Sequence, residues 1–283
     1  MNILITGAAG LVGSHLARRL AVQHQVAALQ HADLDITDAH GVYRRIEEVK
    51  PELVINCAVI QVDESEKDPA KAQAVNVDGA RLLAEAANKI GAEIIHFSTQ
   101  YAFEGEPVGR LPYTIADEPR PVNHYGRTKV AGELAVRAAC PRSYIVRTSW
   151  VYGSGKDSFL CVAHVHLRAG KAIRAIDDIW SSTTYVNDLI DRMMTIRATG
   201  KYDTYHVVNE GVCSYHEFAF EAGRLLGLTQ TELQRQIEIT HECDMKRMAS
   251  RPRYTPMRCL RSEALGLPPM RYWRDALSAY VKS

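Results

Sequence analysis

The sequence predicts an α/β protein: a doubly wound parallel sheet with a smaller, mainly helical lobe toward the C-terminus. Three observations carry this. Short apolar runs without polar alternation recur along the first 150 residues, as strands buried on both faces require. Helical patterns separate them, and alternation of strand, helix and strand builds a parallel sheet. From Gly211 onward helices dominate.

Taken in order, Asn2-Ile-Leu-Ile-Thr6 is the first buried strand. Gly7-Ala-Ala-Gly10-Leu-Val-Gly13 follows, and Ser14 to Leu20 reads as a helix. Gly7 would make a tight turn, Gly10 would let the backbone approach a pyrophosphate, and Gly13 would let helix and strand pack closely. Free N–H groups and the helix dipole favour an anion there. The Gly-x-x-Gly-x-x-Gly spacing is weak as a bare pattern. Its setting between strand and helix favours dinucleotide binding over a purely structural turn.

Gln25 to Leu29 is the second strand, and the acidic residue that would grip a ribose hydroxyl is sought at its end. Gln30 and His31 stand there, neither acid nor arginine, so both NAD and NADP stay open and strict NAD use is disfavoured. Asp35 suits an adenine amino group, and Asp38 suits a helix cap. Leu53 to Ala58 forms the next strand, after a helix stop at Lys50-Pro51. Ala74 to Asp78 opens a long helix through Lys89, with Asn76 either a helix-start residue or a functional one. Ile94 to Thr99 is a fourth strand ending in two hydroxyls. Tyr144 to Gly153 is a further strand, and Thr204 to Val208 a late one after a helix reaching Arg197. The expected division is 1–150 for a dinucleotide-binding domain, with 181–210 returning to it, and 151–283 for a substrate-facing lobe.

Tyr125 and Lys129 stand four apart at the start of an amphipathic helical pattern, so they share a face. An ammonium beside a phenol favours the phenolate and lowers a pKa that starts near ~10. Such a tyrosine exchanges protons near neutral pH. Tyr152 and Lys156 have the same spacing, but Gly153, Ser154 and Gly155 between them favour a loop.

Composition narrows the function classes. In 283 residues, 34 Lys and Arg balance 33 Asp and Glu, which gives no reason to invoke nucleic acid or an anionic membrane. The cysteines, Cys57, Cys140, Cys161, Cys213, Cys243 and Cys259, form no Cys-x-x-Cys pair and read as reduced thiols of a cytoplasmic protein. The histidines are scattered, and His164 and His166 point to different helix faces, so no metal centre is expected. The oligomeric state is not readable, and a homodimer is compatible with the sequence.

The chain resembles the extended short-chain dehydrogenase/reductase family, and more narrowly dTDP-4-dehydrorhamnose reductases. The likeness rests on Thr6-Gly-Ala-Ala-Gly-Leu-Val-Gly13, Leu34-Asp-Ile-Thr-Asp38, Val62-Asp-Glu-Ser-Glu66, Phe97-Ser-Thr-Gln-Tyr-Ala-Phe103, Tyr125-Gly-Arg-Thr-Lys129, Arg147-Thr-Ser-Trp-Val-Tyr-Gly153 and Ser250-Arg-Pro252. It implies a Rossmann fold and NADPH- or NADH-dependent reduction of the C4 keto group of a nucleotide-linked 4-keto-6-deoxy sugar, dTDP-4-dehydro-L-rhamnose first. Tyr125 would donate the proton, Lys129 would hold the nicotinamide ribose, and Thr99 would bond the keto oxygen. Gly7, Gly10, Leu11, Val12, Gly13, Asp35, Ile36, Ala58, Val59, Ile60, Gln61 and Phe97 would line the cofactor. Trp150 and residue 100 would meet the sugar. The family usually has Asp at that last position, and this chain has Gln100, which puts the exact sugar in question. Dehydratases of the superfamily carry an acid after the active-site threonine, which is absent here. A second alternative is a non-catalytic role like that of the similar regulatory subunit of methionine adenosyltransferase.

Overall fold

The computed structural model describes residues 1–283. Its central sheet contains β1 (Asn2–Thr6), β2 (Gln25–Leu29), β3 (Leu53–Asn56), β4 (Glu93–Thr99), β5 (Ser143–Thr148) and β6 (Thr204–His206). The strands lie in the order β2-β1-β3-β4-β5-β6 and all pairs are parallel. Helices α1 (Leu11–Leu20), α2 (Ala39–Val49), α3 (Val62–Lys67), α4 (Ala80–Lys89), α5 (His124–Ala139) and α6 (Val186–Ala198) connect and cover them. The winding starts at β1, runs outward to β2, and then crosses back to β3. That reversal places a crevice at the carboxyl ends of β1 and β3.

Strand periodicity of two explains both faces. Ile3, Ile5, Leu53, Ile55, Ile95, Tyr144 and Val146 pack on one side, in a core that includes Leu16 of α1 and Leu189 of α6. Leu4, Val54, Ile94 and Ile145 face the other side, against Val42, Leu83, Ala87 and Val136 of α2, α4 and α5. Two residues further along each strand, that second face turns polar. Thr6, Asn56 and His96 stand in register on neighbouring strands. Ser98 and Arg147 continue the polar set, also in register. The same pleat that buries aliphatic residues near the amino ends therefore delivers polar groups under α5 near the carboxyl ends.

Two expected elements are interrupted. The helix expected from Ala74 begins as a wide π turn over Ala74–Gly79, and regular helix starts at Ala80. The turn buries the Asn76 side chain, whose Oδ1 accepts the Ile60 N–H at 2.9 Å and whose Nδ2 donates to the Ile60 carbonyl and to Thr128 Oγ1 at 3.2 and 3.0 Å. Those bonds settle the role of Asn76: it joins the segment after β3 to α5. The strand expected from Tyr144 to Gly153 ends at Thr148, because Trp150 takes a left-handed backbone with φ of 39°. Val151–Tyr152 resumes as a short strand paired with Thr184–Tyr185. Beyond it lie helices Phe159–Arg168, Tyr215–Leu225, Gln230–Gln236 and Trp273–Val281, with small two- and three-stranded sheets between them.

Helix α5 lies unusually close to the π turn. A Cβ on Gly132 would come within 2.2 Å of the Asn76 carbonyl oxygen. Gly132→Ala is therefore expected to lower stability by about 1–3 kcal/mol, the usual cost of forcing a methyl into a packed contact. Denaturant unfolding measures it, and an unchanged midpoint would mean that α5 does not rest on that turn.

Candidate active site

The carboxyl ends of β1, β3, β4 and β5 open into a cavity of about 340 Å³. Its first wall is the glycine turn. Gly7 has φ of 65°, and a Cβ there would meet the Cys57 carbonyl carbon at 2.6 Å; one on Gly13 would lie 2.4 Å from the Gly7 oxygen. Only glycine lets the end of β3, the turn and α1 come together so tightly. Gly10 caps α1 without a side-chain bond, and the first turn holds no acid. Its free N–H groups and dipole fit the pyrophosphate of a dinucleotide.

The second wall is Thr99, Gln100 and Tyr101 after β4, Tyr125 and Lys129 on α5, and Trp150 after β5. Asn123 caps α5 by accepting the Gly126 N–H at 2.8 Å. Thr99 Oγ1 accepts the Tyr101 N–H and donates to Gln100 Oε1, both at 3.1 Å. The Trp150 indole lies against Tyr215, ring centroids 3.9 Å apart. A left-handed tryptophan costs on the order of 1–3 kcal/mol and needs surrounding support. Thr184 supplies it, donating its N–H to Trp150 O at 3.3 Å and its hydroxyl to Ser149 O at 2.7 Å.

The cavity gathers Gly7, Gly10, Leu11, Val12, Gly13, Ala58, Val59, Gln61, Phe97, Thr99, Gln100, Tyr125, Lys129 and Trp150. Three expected residues lie off its wall. Asp35 is exposed and folds onto its own turn, accepting from the Thr37 N–H and hydroxyl at 2.9 and 2.7 Å, which holds its carboxyl below the usual range. Ile36 is a core residue under Gly79. Ile60 is buried, and its backbone holds Asn76. Sequence reasoning missed Tyr101, Cys57 and Lys156, which all line the cavity. Tyr152 and Lys156 do part company as their glycine loop suggests: Tyr152 sits in the core. Lys156 nonetheless reaches the cavity, and a basic residue in a glycine loop was the available signal.

The family model described as the RmlD substrate binding domain matches residues 1–283. The chain belongs to this family. It is 40% identical to the dTDP-4-dehydrorhamnose reductase of Mycolicibacterium smegmatis over 99% of this chain and 85% of the relative. The crystal structure of a dTDP-4-dehydrorhamnose reductase ortholog from Clostridium acetobutylicum matches with a TM-score of 0.91 at 34% identity, covering 100% and 99% of the two chains. The Bacillus anthracis dTDP-4-dehydrorhamnose reductase, solved in complex with NADP, matches with a TM-score of 0.91 at 30% identity and 99% of each chain.

In this member of the RmlD family the tyrosine is not poised as its spacing suggests. Burial pushes the Tyr125 phenol up to about 12, with the neighbouring Thr99 hydroxyl opposing. Lys129 does not reverse this, because it is itself buried and its Nζ sits 3.3 Å from His96 Nε2. Burial pulls Lys129 down to about 8, with the Glu133 carboxylate opposing. Among the described residues, the one grouping with metal-ligand spacing is Asp177, Asp178 and His241. It lies outside the cavity wall, and Asp178 accepts the Glu242 N–H at 2.8 Å.

Lys129→Met is expected to stabilise the protein at pH 7. Below about 8 both states hold the proton, and the native state bears the whole cost of burying the charge. Between that value and the unfolded pKa of about 10.4 only the unfolded chain stays charged, so the cost fades. Thermal melts across pH 7 to pH 10 should show the advantage of Lys129→Met shrinking as pH rises. An advantage that grows with pH would contradict the buried ammonium.

Proposed function

We propose that this chain reduces the C4 keto group of a nucleotide-linked 4-keto-6-deoxy sugar, converting dTDP-4-dehydro-L-rhamnose to dTDP-L-rhamnose with NADPH or NADH. The observation that carries this is the single cavity in which the glycine turn faces Thr99, Tyr125 and Lys129. Whole-chain family membership supports it. Residues 151–283, apart from the return through α6 and β6, form the substrate side in this reading. The six free cysteines fit work in the reducing cytoplasm.

The N-terminus of α1 would receive the cofactor pyrophosphate, and Tyr125 and Lys129 its nicotinamide ribose. When bound, the reduced nicotinamide supplies the hydride. Tyr125 holds its proton over the whole physiological range and gives it to the oxygen developing at C4. Thr99 fixes that oxygen, and one such preorganised donor is worth roughly 10²-fold or more in rate. Trp150 forms an aromatic wall for the sugar, and Lys156 adds positive charge for the diphosphate. Gln100 is nearly fully buried beside Thr99. Its neutral amide favours a second reading in which the sugar is a different nucleotide-linked 4-keto sugar.

Following nicotinamide absorbance with dTDP-4-dehydro-L-rhamnose tests both readings. Oxidation of NADPH or NADH is expected, and Tyr125→Phe should cut the rate by roughly 10²–10⁴-fold. Fluorescence titration should show that this variant still binds the nucleotide. Full activity in Tyr125→Phe would remove Tyr125 from its role, and nucleotide binding without turnover of any 4-keto sugar would favour a non-catalytic subunit.

A further inference from the structure

Of the fully buried titratable groups that the reductase mechanism leaves unused, His96 is the one that touches Lys129. His96 stands on β4 with no exposure, and Lys129 Nζ lies 3.3 Å from its Nε2. On the other side of the ring, Asn56 Nδ2 lies 3.1 Å from Nδ1. Which nitrogen carries the proton follows from the network. Asn56 Oδ1 accepts the Ala58 backbone N–H at 3.1 Å and the Thr6 hydroxyl at 2.8 Å. A backbone N–H can only donate, so the amide cannot be turned around. Asn56 Nδ2 must then donate to Nδ1, which leaves Nδ1 the acceptor and puts the ring proton on Nε2.

That assignment has a consequence for Lys129. An Nε2–H pointing at an amine is satisfied when the amine is neutral and offers its lone pair. Against an ammonium, donor faces donor. The other tautomer would accept from the ammonium but would set Nδ1–H against Asn56 Nδ2. Either way the charged lysine costs the network one hydrogen bond, and in a buried site an unmade bond is expensive.

We propose that His96 is the positioning residue for Lys129: held as the Nε2–H tautomer by Asn56, it accepts no charge and stabilises the lysine as a free amine. This rests on the reductase reading. Each turnover removes one proton from Tyr125. The phenolate is reprotonated from the Lys129 ammonium four residues along the same helix face. Lys129 loses the proton and keeps the electron pair. His96 Nε2–H donates to that pair, and water returns a proton to Lys129 through the open cavity. A lysine that could not rest as a neutral amine would hold its proton too firmly for this.

The groups around Lys129 pull in both directions. On α5, Glu133 favours the ammonium and Tyr125 is neutral. On β5, Arg147 neutralises Glu133 by pairing with it at 2.7 Å. Just after β3, the Cys57 thiol is pushed up to about 12 by burial and carries no charge. The imidazole is held well below its ordinary value by burial and by Lys129, so it does not compete for the proton.

The test is nitrogen-15 NMR of histidine-labelled protein without substrate, with His96 assigned by its loss in His96→Phe. The expected spectrum shows Nε2 protonated and Nδ1 a hydrogen-bond acceptor, unchanged between pH 6 and pH 9. A ring protonated on Nδ1, or one that becomes doubly protonated in that range, would overturn the proposal. Lysine carbon-13 titration gives the second readout, with Lys129 assigned by Lys129→Met. In His96→Phe the Lys129 midpoint should move up from about 8, and the alkaline limb of the pH–rate profile should move with it. A midpoint that stays or falls would reject the role. Absence of turnover in the native protein would sink the reductase reading alone, because the tautomer is read without it.

Discussion

A buried carboxylate fastens the site to the sheet. Glu133 on α5 accepts the Ser98 hydroxyl from β4 and is gripped through both oxygens by Arg147 from β5, at 2.9 and 2.7 Å. Both ionic side chains are only 7% exposed. Dehydrating such a pair is costly, and attraction offsets it only when the remaining lone pairs are also satisfied. Here three donors share two oxygens. Removing one partner would strand a buried charge at a cost of about 3–5 kcal/mol. The consequence reaches the chemistry, because Glu133 lies one turn beyond Lys129 and is the main group that keeps its ammonium from being lost.

The start of α5 is tied down by segments far apart in sequence. Asn123 caps the helix with its oxygen while its amide donates to the Ser250 carbonyl at 2.8 Å. Glu66 of α3 accepts the His124 N–H at 2.6 Å. Asp63, also on α3, receives both terminal nitrogens of Arg251, at 2.7 and 2.6 Å, and is pulled down to about 2 by that guanidinium. The blocks at 62–66 and 250–252 thus meet at one place. They hold the helix that carries Tyr125 and Lys129. A residue ordered by several partners loses little entropy on reaching the reactive geometry, which is where rate is won.

How much of this was legible follows from what each signal depends on. The strands, the glycine turn and the Tyr125–Lys129 face depend on local sequence period, and local period was visible. The π turn at Ala74–Gly79 was not, because it is imposed by Gly132 and Thr128 on a helix fifty residues away. The break at Trp150 was hidden for a similar reason. Its left-handed backbone is held by Thr184, and the β-branched and aromatic residues on both sides of it look like uninterrupted strand. The proton state of Tyr125 was misread because spacing gives the sign of a charge effect but not the depth of burial. Here desolvation raises the phenol, and the Thr99 hydroxyl is the group that opposes it. His96 gave no signal at all, since a histidine in a strand reads as core until its neighbours across the sheet are known.

Gln100 changes the charge balance of the cavity. Among the lining residues only Lys129 and Lys156 carry charge, and both are positive. An aspartate at position 100 would accept the Thr99 hydroxyl in a charge-assisted bond about twice as strong as a neutral one. Its negative charge would also push the Tyr125 phenol further up. The glutamine carbonyl still accepts from Thr99, at 3.1 Å, but holds it less firmly. In the proposed mechanism Thr99 is then freer to turn its hydroxyl toward the oxygen that becomes negative beside Tyr125. In the proposed reading the amide brings no charge to the sugar hydroxyls, and the cavity wall stays positive for a ligand that carries phosphates. In the proposed reading, specificity for the sugar falls more heavily on shape, through Trp150 and its backing Tyr215, than it would with a carboxylate in place.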